Sequence, residues 1–136
     1  DTMQAAVLLT KMKVFDQEIE ARQKIAEAYE QGLRDYVKVP SVVNANTSAW
    51  ALYTITTPHR ERLKAELAEA GIPTRVYYPI PLHLQQAYRE HPKSPGGLAT
   101  TERLAKQVLS LPMHPHLKGA EQDRVVQAVR EWASAS

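Results

Sequence analysis

Apolar side chains in the first quarter of the chain return every three or four residues. Val7, Phe15, Ile19, Ala26, Tyr29 and Leu33 recur at helical spacing between Met3 and Leu33, and the pairs Glu18/Arg22 and Glu20/Lys24 stand four apart. The spacing predicts a helix over residues 3–33. At 1.5 Å per residue it would run about 46 Å, more than a domain of this size is wide, so a kink or break is expected near Phe15–Asp16. A helix of such length often spans two domains.

The period then changes. "RDYVKVPSVVNANTS" reads as a short extended piece and a polar loop, after which "SAWALYTITT" alternates, with Trp50, Leu52, Thr54 and Thr56 on one side and Ala51, Tyr53 and Ile55 on the other. Thr57 as N-cap and Pro58 at the first helical position open a second helix over Leu63, Leu67 and Ala70, which Gly71 stops. "TRVYY" reads as a second strand, ended by Pro79 and Pro81, with a short helix over Leu84–Tyr88 and an exposed loop at "HPKSPGG". Leu98, Leu104, Ala105, Val108 and Leu109 mark a third helix, "LSLP" a third strand, and Val125, Val126, Val129, Trp132 and Ala133 a closing amphipathic helix. The expected architecture is α+β: a three-stranded sheet with helices packed on it, its strand directions left open by the pattern.

Composition narrows the function classes. The 136 residues suit one domain. Seventeen Lys plus Arg against fifteen Asp plus Glu give a net charge of only +2, interspersed along helix-like faces, so nucleic acid is not an expected partner. The absence of cysteine removes disulfides and thiolate metal sites and favours a cytoplasmic protein. No apolar run approaches the ~18 residues of a membrane span, so no membrane partner is expected. The opening "DTMQAAVLL" enters an amphipathic pattern within three residues and has no initiator methionine, which reads as a cut end of something longer.

A search for chemistry finds little. His83, His114 and His116 are candidate metal ligands by residue type, but Pro112 and Pro115 make "LPMHPHL" a rigid strand exit and no carboxylate nearby in sequence completes a ligand set. No Gly-flanked serine of the nucleophile-elbow type appears, none of the five glycines opens a phosphate-binding loop, and the eight lysines sit on polar faces or in loops. No catalytic residue and no cofactor ligand is assigned. What remains is "GIPTRVYYPIPLHLQ", residues 71–85. As strand neighbours, Tyr77 and Tyr78 would point to opposite faces. Two readings stay open for them: one fills the sheet core, or the prolines hold a phenol and His83 stiffly toward a pocket at low entropic cost.

Several stretches resemble the nucleotide-sugar aminotransferases of the DegT/StrS group, PLP enzymes of fold type I, and most nearly their WbpE-like branch. Residues 1–33 resemble the long helical segment after that family's Asn-Gly-Arg turn; "SAWALYTI", "GIPTRVYYPIPLHLQQAY" and "VLSLPMHPHL" resemble its small-domain strand, its His-Tyr-Pro loop and its penultimate motif. The resemblance implies a C-terminal fragment, with residues 1–35 linking to a large, PLP-binding domain upstream and 36–136 forming the small α+β domain; in the large domain a lysine holds the cofactor and an acidic residue pairs with its ring nitrogen. It implies a homodimer, an amino-acid amine donor such as glutamate, and as acceptor a UDP-linked 3-keto N-acetylglucosaminuronic acid for surface-polysaccharide (O-antigen) synthesis.

By the same resemblance Tyr78, Tyr77 and His83 are substrate-binding, with Tyr78 on the family's tyrosine and Tyr77 on its histidine. A phenol cannot carry an imidazole's positive charge, so any contact of position 77 with an anionic group is altered. Two alternatives compete: a PLP-dependent sugar dehydratase of the same family, and a stand-alone α+β binding module without catalysis.

Overall fold

The computed structural model describes residues 1–135. The predicted N-terminal helix is two helices. Asp1 Oδ1 accepts the Met3 amide at 3.0 Å and caps α1 (Thr2–Met12); α2 (Phe15–Leu33) follows a break at Lys13 and Val14, just ahead of the expected position. The break is a tightened turn, Lys13 N donating to Thr10 O and Val14 N to Lys11 O, after which Val14 leaves helical dihedrals at φ −114° and ψ 1°. None of α1 is buried, whereas α2 buries Ile25, Ala26, Tyr29, Gly32 and Leu33 along one stripe.

That stripe meets α5 (Gly119–Ser134), which buries Gln122, Val125, Val129 and Trp132. A Cβ at position 32 would lie 2.8 Å from Val126 Cγ1, so glycine allows the two helices to cross closely. Gln122 Nε2 donates to Ile25 O at 2.7 Å and Arg130 Nε to Gly32 O at 2.9 Å, fixing the crossing.

The sheet is smaller than the alternation suggests. β1 (Tyr53–Thr56) and β2 (Val108–Leu111) pair antiparallel, with Tyr53 opposite Leu111 and Ile55 opposite Leu109. The expected third strand, Thr74–Tyr78, contributes one bridge only: Arg75 and Ser110 exchange backbone hydrogen bonds of 3.1 and 2.8 Å. Pro73 and Pro79 bracket this segment and lack the N–H groups that a longer ladder needs. Lys38 makes a similar single bridge to Thr56. The correction is therefore from three strands to two, flanked on each edge by an isolated bridge. β1 also starts later than expected, because Trp50 takes a left-handed φ of 45°. It is held there by Arg22, which donates to its carbonyl at 2.9 Å, and by Gln23, which accepts from its indole at 2.7 Å.

α3 (Arg60–Glu69) begins three residues after Thr57, whose hydroxyl accepts the His59 amide, and it ends at Gly71 with φ 70°. Two single-turn 3-10 segments, Leu82–Leu84 and Gln86–Tyr88, stand where one short helix was expected, and α4 (Ala99–Gln107) precedes β2. The described chain is thus an α+β arrangement of five α-helices on a two-stranded sheet. Among the described residues no helix is long and apolar enough to cross a membrane.

Tyr29, Leu33, Tyr53, Ile55, Leu63, Leu67, Leu109 and Val129 are wholly buried and form the centre of the core. Burial raises the Tyr29 phenol well above its ordinary value, with a smaller contribution from Tyr53; burial likewise raises Tyr53, helped by Glu30. A raised folded-state value favours the neutral phenol, so this stabilisation is complete below the unfolded value of about 10 and is lost as pH rises beyond it. Urea midpoints should therefore fall as pH rises above about 10, and Tyr29→Phe should reduce that fall; equal slopes in both proteins would contradict it.

Candidate functional site

After the Arg75 bridge the chain leaves the sheet edge and bends at Tyr77, so the strand geometry that would send Tyr77 and Tyr78 to opposite faces does not apply. Both rings line the same concavity, their centroids 5.9 Å apart at 73°, and both are exposed, Tyr77 by 44% and Tyr78 by 75%. Neither fills the sheet core, which is closed by Tyr53, Ile55 and Leu109 instead.

The concavity has a volume of about 660 Å³. One wall is the segment from Tyr77 to Gln85, stiffened by Pro79 and Pro81. The other is α4 and its exit, where Thr101, Leu104, Ala105 and Val108 recur at i, i+3, i+4 and i+7 and so share one helix face. Polar groups are few: two phenols, the Gln85 amide and the Thr101 hydroxyl. A mostly apolar surface with a few neutral hydrogen-bonding groups suits a planar ring or the face of a sugar.

His83 does not line this concavity. Its Nε2 lies 3.0 Å from Glu102 Oε1 and its side chain is only 10% exposed, so it ties the proline-rich segment to α4. His114 and His116 lie exposed beyond β2, and among the described residues no three His, Asp or Glu side chains converge as a metal site would require.

The residues present do not fit PLP. The concavity offers no lysine to bond an aldehyde and no carboxylate to pair with a pyridine nitrogen, and all eight lysines of the chain are solvent-exposed. The site can bind and orient; it holds no group placed to move a proton. The sequence signals for Tyr77 and Tyr78 lead to the concavity, but the α4 wall was hidden in an apolar spacing that reads equally as a core face.

The model of the DegT/DnrJ/EryC1/StrS aminotransferase family matches residues 1–130. The UDP-2-acetamido-2-deoxy-3-oxo-D-glucuronate aminotransferase of Pseudomonas aeruginosa is 44% identical over 122 residues, covering 88% of this chain and 33% of that protein. The dTDP-3-amino-3,4,6-trideoxy-alpha-D-glucose transaminase of Streptomyces venezuelae is 38% identical, covering 98% of this chain and 36% of that one. In structure, an aminotransferase described by the same family name from Brucella abortus superposes with a TM-score of 0.95 at 48% identity, over 98% of this chain and 36% of its own. The chain thus spans about a third of the length of the relatives it matches.

Proposed function

Because the chain belongs to the DegT/DnrJ/EryC1/StrS aminotransferase family, we propose that it forms the sugar-facing, C-terminal part of a longer PLP-dependent nucleotide-sugar aminotransferase. The observation that carries this reading is the concavity: two exposed tyrosines opposite an apolar helix face, with binding groups and no reactive ones. In the complete enzyme the cofactor and the lysine that holds it come from the remaining two thirds, and this chain contributes substrate contact. The acceptor is a UDP-linked 3-keto sugar of the glucuronic acid type and the donor an amino acid such as glutamate, in a cytoplasmic homodimer. Similarity to the Pseudomonas protein supports the acceptor class, while the dTDP-sugar transaminase at 38% identity marks how far nucleotides vary among relatives.

Residues 1–35 connect to the large domain in this reading. Met3, Val7, Leu8 and Met12 of α1 are all exposed by 60% or more, an apolar face that the rest of a longer protein would cover. Tyr78 is the more exposed of the two tyrosines that line the concavity. In the full-length enzyme Tyr78→Phe should raise the KM for the UDP-sugar about three- to tenfold, the loss of one hydrogen bond, and leave PLP affinity unchanged. Equal losses of sugar and cofactor binding would sink the assignment.

A further inference from the structure

The proline-rich wall is held in place at one polar point. Residues 79–97 leave the sheet edge and return only at α4, and their backbone bonds are local: Leu84 N to Pro81 O at 2.9 Å, Gln85 N to Leu82 O at 3.1 Å, Tyr88 N to Gln85 O at 3.0 Å. The Gln85 side chain also stays within the segment, on Ile80 O at 3.3 Å. Among the described residues, the one hydrogen bond that leaves residues 79–97 is that of His83 to Glu102.

The placement of this pair relates both walls. His83 lies between Leu82 and Gln85, which line the concavity from one side; Glu102 lies between Thr101 and Leu104, which line it from the other. Glu102 is in the first turn of α4, where a negative charge is favoured by the exposed backbone N–H groups. A carboxylate only accepts, so His83 Nε2 carries the hydrogen it shares with Glu102. His83 is nearly enclosed whereas Glu102 is 46% exposed.

We propose that Glu102 is a positioning residue for the acceptor: through His83 it holds the Tyr77–Gln85 wall at the separation from α4 that grips the sugar nucleotide. The proposal rests on the reading of the concavity as the acceptor site. A wall of single turns without other polar anchors has many nearby arrangements, and only those with both tyrosines over α4 offer the whole surface to a ligand. The carboxylate acts through the imidazole and does not touch substrate.

The test uses the full-length enzyme with a UDP-linked 3-keto sugar and glutamate. Glu102→Ala should raise the KM for the sugar nucleotide about tenfold, with kcat within about twofold and the rate of the glutamate half-reaction, measured without sugar, unchanged. Glu102→Gln retains an oxygen that accepts the same N–H and should restore most of the affinity. Hydrogen exchange should quicken in residues 79–91 of Glu102→Ala and stay as in the wild type in β1 and β2. The proposal is overturned if Glu102→Ala leaves KM and exchange unaltered while Tyr78→Ala raises KM, or if Glu102→Gln loses as much as Glu102→Ala. It is equally overturned if the glutamate half-reaction falls in step with sugar binding. If Tyr78→Ala itself leaves KM unchanged, the concavity is not the acceptor site and the positioning role falls with it.

Discussion

Tyr53→Ala should cost about 3–5 kcal/mol of stability, enough to unfold much of a domain whose total is about 5–15 kcal/mol. The ring is wholly buried at the centre of the core, its centroid 5.0 Å from that of Tyr29 and 5.6 Å from that of Trp50. It also joins the sheet to α2: Tyr53 begins β1 opposite Leu111, and Tyr29 donates from its hydroxyl to Pro112 O at 2.9 Å just beyond. Removing the ring leaves a cavity that three elements line, which limits collapse. The hydroxyl behaves differently. Tyr53 Oη is buried without a hydrogen-bond partner, so Tyr53→Phe removes an unsatisfied polar atom and should be neutral or stabilising. Urea unfolding of both variants checks the pair; a Tyr53→Phe loss approaching that of Tyr53→Ala would show that the hydroxyl is satisfied and that ring packing is not the main term.

Leu104→Glu should raise the KM of the full-length enzyme for a UDP-sugar about a hundredfold with little change in PLP affinity. Leu104 stands mid-stripe on α4, half-buried, between Thr101 and Val108 in the lining of the concavity. Glutamate is a good helix former of similar length, so the helix persists while a negative charge enters the apolar wall. Against a diphosphate-linked ligand, like charges brought together cost several kcal/mol, and each 1.4 kcal/mol is a factor of about ten. Leu104→Met keeps volume and neutrality and should stay close to the wild type. If the glutamate variant bound the nucleotide normally, α4 would not face the ligand.

The faces of α3 and α5 are the most legible part of the chain, whereas Val7 and Phe15, spaced as a helical stripe, are exposed. Leu63 and Leu67 of α3, and Val125, Val129 and Trp132 of α5, are buried as their spacing implies, because period 3.6 survives whatever the partner surface is. Alternation in "TRVYY" carries no information on whether a neighbouring edge continues, so the third strand it implies shrinks to a single bridge. With proline at both sides, only Arg75 finds a partner. The first strand starts three to five residues later than its alternation implies, since nothing in "SAWAL" announces a left-handed Trp50; that conformation depends on Arg22 and Gln23, nearly thirty residues away. At the site, Tyr77 and Tyr78 stood out by their company of prolines, but their common orientation follows from the chain leaving the sheet. Glu102 gave no local signal at all, since its partner His83 lies 19 residues earlier across a loop.

In the proposed function, the surface between Tyr77–Gln85 and α4 receives the nucleotide sugar. Hydrogen–deuterium exchange of the full-length enzyme with and without a saturating UDP-sugar tests it most directly. Exchange should slow in residues 77–85 and 99–108, with α1 and the outer face of α5 unaffected by the ligand. Slowed exchange elsewhere in the protein with no change in those two segments would contradict it.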